Sequence, residues 1–194
     1  MGRSQEFDTV TVIAAALDVF WDRGYEGASL AELEATTGLN RSSLYNTFTN
    51  KRGLFDSAVQ MYLNRVIRPR LQGLATNPTH DAVDEYFAAL ARAVATMTPD
   101  TRRRGCLLLN TATTPAANDE SIADVIRGYR QELLASIENG VRAASTTASA
   151  DVVRERASIL LSCNVSALIL ARVDPRAAVA ELESARRLNR QWSN

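Results

Sequence analysis

Apolar residues recur at three- and four-residue spacing along most of the chain, which is the period of an amphipathic helix. The first such stretch predicts a helix over Asp8–Arg23, with its apolar positions at Phe7, Val10, Ile13, Ala14, Leu17, Phe20 and Trp21. Gly24 follows and is expected to end this helix in the left-handed conformation that glycine adopts without strain. The alternating pattern of a β-strand does not occur in the sequence. The pattern therefore predicts an all-α protein.

Three polar residues, each suited to capping a helix, divide the next part of the chain: Ser29, Asn40 and Asn50. Ser29 precedes Glu32 by three residues, the spacing of a capping box in which each side chain bonds the other residue's backbone N–H. Gly38 separates the second predicted helix from the third. Two short helices joined by a tight turn and supported by a longer helix predict a helix-turn-helix.

The third predicted helix begins at Arg41 and has two dissimilar sides. Leu44 and Phe48 are four residues apart and share one face, which is expected to face the core. The remaining positions are polar, as in the recognition helix that a helix-turn-helix places in the DNA major groove. The alternative is a solvated surface helix, which the capping pattern on both sides disfavours.

Six further stretches have helical spacing. They are Lys51–Gln72, with a kink or an end expected at Pro69, then Asp81–Met97, Arg102–Thr113, Ser121–Ala144, Asp151–Arg172 and a last helix that opens at Pro175. Chains of 194 residues with 46% hydrophobic and 23% charged residues are typical of folded globular proteins.

Charge limits how the predicted helix-turn-helix could hold DNA. The whole chain has a formal net charge of zero, and residues 1–51 carry four basic against seven acidic side chains, a net charge of −3. Because non-specific DNA binding is electrostatic, any positively charged contact surface must be a local patch. The same acidity supports an alternative function, a helical scaffold that does not bind DNA.

Several classes of function are disfavoured. With one histidine, no nucleophile elbow and no glycine-rich phosphate loop, the sequence predicts no catalytic residue, no metal site and no cofactor. Two cysteines, Cys106 and Cys163, make no disulfide framework and indicate a reducing compartment. The longest apolar run, Ile159–Ala171, is shorter than the roughly 20 residues of a membrane span. No apolar signal core is present near the N-terminus, so a cytoplasmic location is expected.

Residues 15–55 resemble the DNA-binding domain of the TetR family of bacterial transcriptional regulators. The matching positions are Phe20, Gly24-Tyr25, Ser29, Leu30, Leu33, Thr37-Gly38-Leu39, Ser43-Leu44-Tyr45, Phe48 and Lys51. The resemblance implies a DNA-binding domain at 1–50 and a helical ligand-binding and dimerisation domain at 51–194. It also implies a homodimeric repressor that binds an inverted-repeat operator in double-stranded DNA and is released by a small molecule.

The expected DNA contacts divide between bases and phosphates. Arg41, Ser42, Asn46 and Thr47 could reach base edges, while the resemblance gives Tyr45 a phosphate. Helix starts attract anionic oxygens, which favours phosphate contacts at Ser29 and Lys51, and Arg3 could contribute from the N-terminal arm. The full predicted set is Ser29, Asn40, Arg41, Ser42, Ser43, Tyr45, Asn46, Thr47 and Lys51.

The segment Gly105-Cys106-Leu107-Leu108-Leu109-Asn110 resembles one that a subset of the family carries, some of whose members answer to electrophiles, oxidants or metals. In the predicted helix, Arg102 and Arg103 share the face of Cys106, and nearby cations would favour a reactive thiolate. The alternative is a small buried hydrophobe. Cys106 is therefore either a sensor of thiol-reactive compounds or a core residue.

Two further sites are predicted in the larger domain. An apolar ligand pocket is expected from Tyr62, Phe87, Leu90, Val94, Cys106, Leu109, Asn110, Ile126 and Tyr129. The last two helices are expected to form a four-helix dimer interface with a second copy through Leu161, Val165, Leu168, Val179 and Leu182.

Overall fold

The computed structural model describes residues 8–193, and all regular structure in that part of the chain is helical, as predicted. Arg3 and Phe7, to which the sequence assigned roles, lie outside the described residues. The helices are α1 Thr9–Gly27, α2 Leu30–Thr37, α3 Arg41–Phe48, α4 Lys51–Tyr62, α5 Arg68–Ala75, α6 Ala82–Thr96, α7 Pro99–Arg104, α8 Leu107–Ala112, α9 Glu120–Ala144, α10 Ala150–Leu170 and α11 Pro175–Ser193.

The chain divides into two compact units, Met1–Ile67 and Arg68–Asn194, called here the first and second units. In the first unit α1 packs against α4 and α2, and α3 packs against α4. In the second unit α11 packs against α6 and α10, and α9 packs against α5, α6 and α10. The predicted division of roles at residue 50 concerns function and stays a prediction.

An aromatic cluster forms the centre of the first unit. The Phe20 ring lies edge-on to Phe55 with 5.1 Å between centroids, and Tyr25 lies 5.0 Å from Phe55. Gly24 has the predicted left-handed backbone, with φ at 73°. The helical pattern resumes after it and continues to Gly27, so Gly24 kinks α1 where an end was predicted.

The predicted helix over Lys51–Gln72 is interrupted before Pro69. Residues Leu63–Ile67 form a π-helical turn between α4 and α5. A proline inside a helix lacks an N–H and clashes with the carbonyl four residues earlier, which here belongs to Arg65. A π turn holds an extra residue in the helix. The helical structure therefore continues past Pro69 into α5.

The predicted helix over Arg102–Thr113 is wrong, because two short helices, α7 and α8, meet there at a sharp break. Gly105 ends α7 with φ at 58°, and Cys106 is extended with φ −95° and ψ 120°. The Asn110 side chain donates to the Arg104 carbonyl at 2.6 Å and accepts from Arg172 Nη1 at 2.9 Å. A β-carbon at Gly105 would lie 2.8 Å from Arg172 Cδ. The glycine and asparagine of the Gly105–Asn110 segment thus hold the break between α7 and α8 against Arg172, which follows the end of α10.

An ion cluster joins α6 to α11 in the second unit. Asp84 accepts from Arg186 Nη2 at 2.8 Å and from Arg190 Nε at 2.7 Å, and Arg186 also pairs with Glu183 at 2.8 Å. The Arg186 hydrogen bond is the main reason that the pKa of Asp84 lies below its ordinary value. Within the part of the chain that is described, no helix has the length and apolar character needed to cross a bilayer.

Candidate nucleic-acid interface and ligand cavity

Helix α3 presents a polar face on an apolar anchor. Leu44 and Phe48 are buried, at 2% and 8% exposure. Arg41, Ser42, Asn46 and Thr47 are exposed, while Ser43 and Tyr45 are half-buried. The structure therefore groups the predicted base-contacting side chains on one eight-residue helix, whose position the two buried residues fix.

Side-chain caps set the starts of α2, α3 and α4. Asn40 Oδ1 accepts from the Ser43 N–H at 2.9 Å, and Asn50 Oδ1 accepts from the Gly53 N–H at 2.9 Å. Ser29 Oγ accepts from the Glu32 N–H at 3.1 Å, which is one half of the predicted capping box. The other half is wrong, because the Glu32 carboxylate instead accepts from Arg23 Nε at 3.1 Å.

Two polar groups on α3 have restricted roles. The Thr47 hydroxyl donates to the Ser43 carbonyl at 3.0 Å, so its oxygen is left to accept from a donor. The Arg41 guanidinium carbon lies 5.5 Å from the centroid of the Tyr45 ring, within the range of a cation–π contact. Arg41, the first residue of α3, and Tyr45, one turn later, thus lie on the same side of the helix.

Lys51 opens α4 with its amine over an aromatic ring. Its Nζ lies 4.9 Å from the centroid of Tyr25. Partial burial lowers the pKa of Lys51 from its ordinary value, while the nearby Glu26 acts in the opposite direction. The turn before it contains Thr49 with φ at 70°, a strained conformation for a β-branched residue. Strain of this kind persists where surrounding contacts hold the backbone. The turn at Thr49 sets the direction in which α4 begins after α3.

The second unit contains a cavity of about 100 Å³ lined by Arg70, Tyr86, Ala89, Leu90 and Ala93. Of the predicted pocket residues, only Leu90 lines it. Phe87, Val94, Cys106 and Tyr129 are buried, and Leu109, Asn110 and Ile126 are half-buried. Tyr62 is not part of the second unit, because it is buried in the first with its ring 4.8 Å from Trp21. Helical spacing identifies apolar positions, but it does not distinguish the residues that line the cavity from those packed in the core.

Sequence reasoning missed a buried polar pair beside this cavity. The Tyr86 hydroxyl on α6 donates to Asn164 Oδ1 on α10 at 2.9 Å. Asn164 is fully buried, and its Nδ2 has no hydrogen-bond partner among the described residues. In the sequence, the asparagine is visible as a polar residue within the apolar run Ile159–Ala171, which is the one signal that could have identified it.

The structure removes the argument for a reactive thiol at Cys106. Since Gly105 breaks the helix, Arg102 and Arg103 are not on a shared helical face with Cys106. The thiol is buried, with 4% of the residue exposed. These observations favour the core interpretation of the cysteine.

Two of the five predicted interface residues are already buried within the single chain. Leu161 is 4% exposed and Leu182 is fully buried, so little of their surface is left for a second copy to cover. Val165, Leu168 and Val179 are half-buried. Ile159 and Ile169 were missed and are 40% and 52% exposed. With Ser162 and Ser166 between them at helical spacing, they form what is called here the outer face of α10.

A short polar helix anchored against α4 in a small helical unit, followed by a larger helical unit, defines a helix-turn-helix regulator. Comparison with known proteins gives the family. The model for bacterial regulatory proteins of the tetR family matches residues 12–58. The HTH-type transcriptional regulator YezE of Bacillus subtilis is 33% identical over 144 residues, which are 73% of this chain and 72% of that protein.

A second relative and a solved structure agree. The HTH-type transcriptional repressor ComR of Escherichia coli is 33% identical over 65% of this chain and 60% of its own length. A cysteine-substituted form of the TetR-family regulator CifR, solved with a 26-base-pair operator duplex, is 30% identical with a TM-score of 0.80. The alignment covers 96% of this chain and 98% of CifR. The chain belongs to the TetR family of transcriptional regulators.

Proposed function

We propose that this protein is a repressor that binds an inverted-repeat operator as a homodimer and leaves it when a small molecule binds. The polar face of α3 beside Lys51 is the observation that carries this proposal. The operator complex of CifR supports it, because a chain of the same fold and 30% identity binds duplex DNA there. A two-fold dimer with two recognition helices matches an operator whose half-sites are inverted.

The exposed residues have distinct proposed roles. Arg41, Ser42 and Asn46 read base edges, since they are exposed and carry donors and acceptors suited to the major groove. Asn40, Ser43 and Thr47 border this face. Tyr45, Lys51 and Ser29 bind phosphates, which sets the register of α3 on the duplex without reading sequence. The Ser29 oxygen already caps α2, and its hydroxyl proton remains to donate to a phosphate oxygen.

The outer face of α10 is the proposed centre of the dimer. Ile159 and Ile169 are exposed on this face. Burying them against the same face of a second copy would lower the free energy, because apolar surface is removed from water. Val165, Leu168 and Val179 are half-buried and border this surface. Leu161 and Leu182 instead hold α10 and α11 to the rest of the protomer.

Salt-dependent binding to the DNA upstream of the protein's own gene tests the proposal. Fluorescence anisotropy with a labelled duplex from that region should show tight binding that weakens as salt rises, and a scrambled duplex should bind far more weakly. Equal affinity for both duplexes, or none for either, would support the scaffold alternative. The same proposal places the protein in the cytoplasm with the chromosome.

Membership of the subset with a Gly-Cys-Leu-x-x-Asn segment is a further part of the proposal. The matched Gly105 and Asn110 support it, since both contribute to the break between α7 and α8. A sensor role for Cys106 is the second candidate, supported by the place of Cys106 in the Gly105–Asn110 segment that resembles the one in this subset. The variant Cys106→Ser separates a sensor from a core residue. If Cys106 is a sensor, the variant protein loses its response to thiol-reactive compounds; if Cys106 is only a core residue, the response does not depend on it.

A further inference from the structure

One face of α6 forms most of the cavity in the second unit. Tyr86, Ala89, Leu90 and Ala93 lie three and four residues apart on α6, and Arg70 of α5 completes the lining. The two alanines leave room where larger side chains would fill the space. The volume of about 100 Å³ is comparable to the engineered cavity of about 150 Å³ that holds one benzene molecule.

The charge at this cavity has no internal partner. Arg70 makes no hydrogen bond or ion pair with any residue between 8 and 193. Arg68, two residues earlier on the same helix, pairs with Glu132 at 3.0 Å. A guanidinium has five donors in a planar fork that matches a carboxylate. An unpaired guanidinium beside an apolar wall is therefore complementary to an organic anion with a small apolar group.

A buried polar chain leads from the cavity wall to α10. The Tyr86 hydroxyl donates to Asn164 Oδ1 at 2.9 Å, and the amide Nδ2 of the same fully buried asparagine has no partner. Burial raises the pKa of Tyr86 above its ordinary value, so the hydroxyl stays protonated and remains a donor. Movement of the Tyr86 ring would leave both polar atoms of Asn164 without partners, which disfavours α10 in its present position.

We infer that this cavity binds a small organic anion and that Arg70 holds its acidic group. Binding displaces the Tyr86 ring, which alters the position of α10 through the hydrogen bond to Asn164. Ala89, Leu90 and Ala93 contact the apolar part of the anion. The inference rests on the proposed function, because it names the chemical class of the small molecule that releases the operator. It also gives α10, the helix of the proposed dimer, a direct contact with the effector site.

Benzoate and benzamide are matched probes, since they share a ring and differ in charge. Calorimetry on the full chain should show benzoate binding at least about tenfold tighter than benzamide, because a charge-assisted bidentate contact is lost with the amide. Arg70→Gln should bring the two affinities within about threefold of each other. Arg92→Gln removes an exposed arginine of α6 that does not line the cavity, and it should leave the preference unchanged.

Equal affinities for benzoate and benzamide in the wild-type protein, or no binding of benzoate at millimolar concentration, would overturn the inference. So would a preference for benzoate that survives Arg70→Gln. These outcomes differ from failure of the proposed function, which would appear as an absence of operator binding in anisotropy whether or not benzoate binds.

Tyr86→Phe tests the path to α10, because it keeps the ring and removes the hydroxyl. This variant should bind benzoate within about threefold of wild type, while saturating benzoate should change its operator affinity at least about tenfold less than it changes that of wild type. Unchanged release would show that the Tyr86–Asn164 hydrogen bond does not carry the response. Circular dichroism of the variant confirms that it folds, and Arg70→Gln, on the surface, remains informative if it does not.

Discussion

The carbonyl oxygen of Phe48 lies so close to Gly53 that a β-carbon on the glycine would stand 2.1 Å from it. Phe48 ends the recognition helix and Gly53 belongs to the first turn of α4. Backbone therefore meets backbone where these two helices join, and the direction of α3 depends on the absence of a side chain at residue 53.

Gly53→Ala should destabilise the first unit by about 1–3 kcal/mol, the usual cost of forcing atoms into a packed site. Operator affinity should fall as well, because α3 must shift to relieve the contact. Thermal unfolding and anisotropy measure the two effects. Gly73→Ala is the matched control, since nothing lies within 4 Å of a β-carbon there and alanine favours a helix. A variant at residue 53 as stable as wild type would contradict this reading of the contact.

Lys51→Ala should weaken binding to every DNA sequence by a similar factor, since its proposed partner is a phosphate. The slope of log affinity against log salt should fall by about one. Anisotropy titrations at several salt concentrations give the slope. Arg65→Ala removes an exposed charge from the π-helical turn of the same unit and should leave the slope unchanged. A loss of specificity without a change in slope would assign Lys51 to base recognition.

Asp84→Asn should lower the stability of the second unit by about 1–3 kcal/mol at pH 7, because two hydrogen bonds from arginines are weakened. The pKa of Asp84 is lowered by folding, so its contribution is present above 3.8 and is lost as the pH falls through the folded pKa. In denaturant unfolding, the free energies of unfolding of wild type and Asp84→Asn should therefore become more similar as the pH is lowered. Asp151→Asn, whose side chain is 91% exposed, should change stability by less than about 0.5 kcal/mol.

Ile159→Asp should convert the dimer to a monomer, because an unpaired carboxylate would be buried at the centre of the outer face of α10. Sedimentation velocity at micromolar concentration measures the change. Val10→Asp is the control, since Val10 is an apolar residue that is exposed at least as much as Ile159 and lies on α1. If the variant at residue 159 remains dimeric, the interface lies elsewhere.

The helix-turn-helix could be predicted because its signals are local. Ser29, Asn40 and Asn50 each bond a backbone N–H three residues ahead, and the left-handed Gly38 ends α2. Such contacts depend on neighbours in the sequence, so the spacing of residue types reveals them. The helix bounds from α2 to the start of α4 agree with the prediction for this reason.

Features that depend on distant residues were not predictable. The break at Gly105 is held by Arg172, which is far along the chain. The cavity lies where Ala89 and Ala93 leave space, and an alanine in a helical pattern gives no sign of whether a neighbour fills that space. Tyr62 and Leu182 look like pocket and interface residues by spacing, yet each is buried in the core of its own unit.

The acidic charge of the first unit affects the balance between binding to the operator and binding to other DNA on the chromosome. Arg23 is engaged with Glu32, and Arg41 and Lys51 are the cations that we propose to hold the DNA. Electrostatic attraction from so few proposed contacts would hold random sequence weakly, and the vast excess of random sequence would then sequester few molecules. A cell would need only a small number of copies to keep its operators occupied.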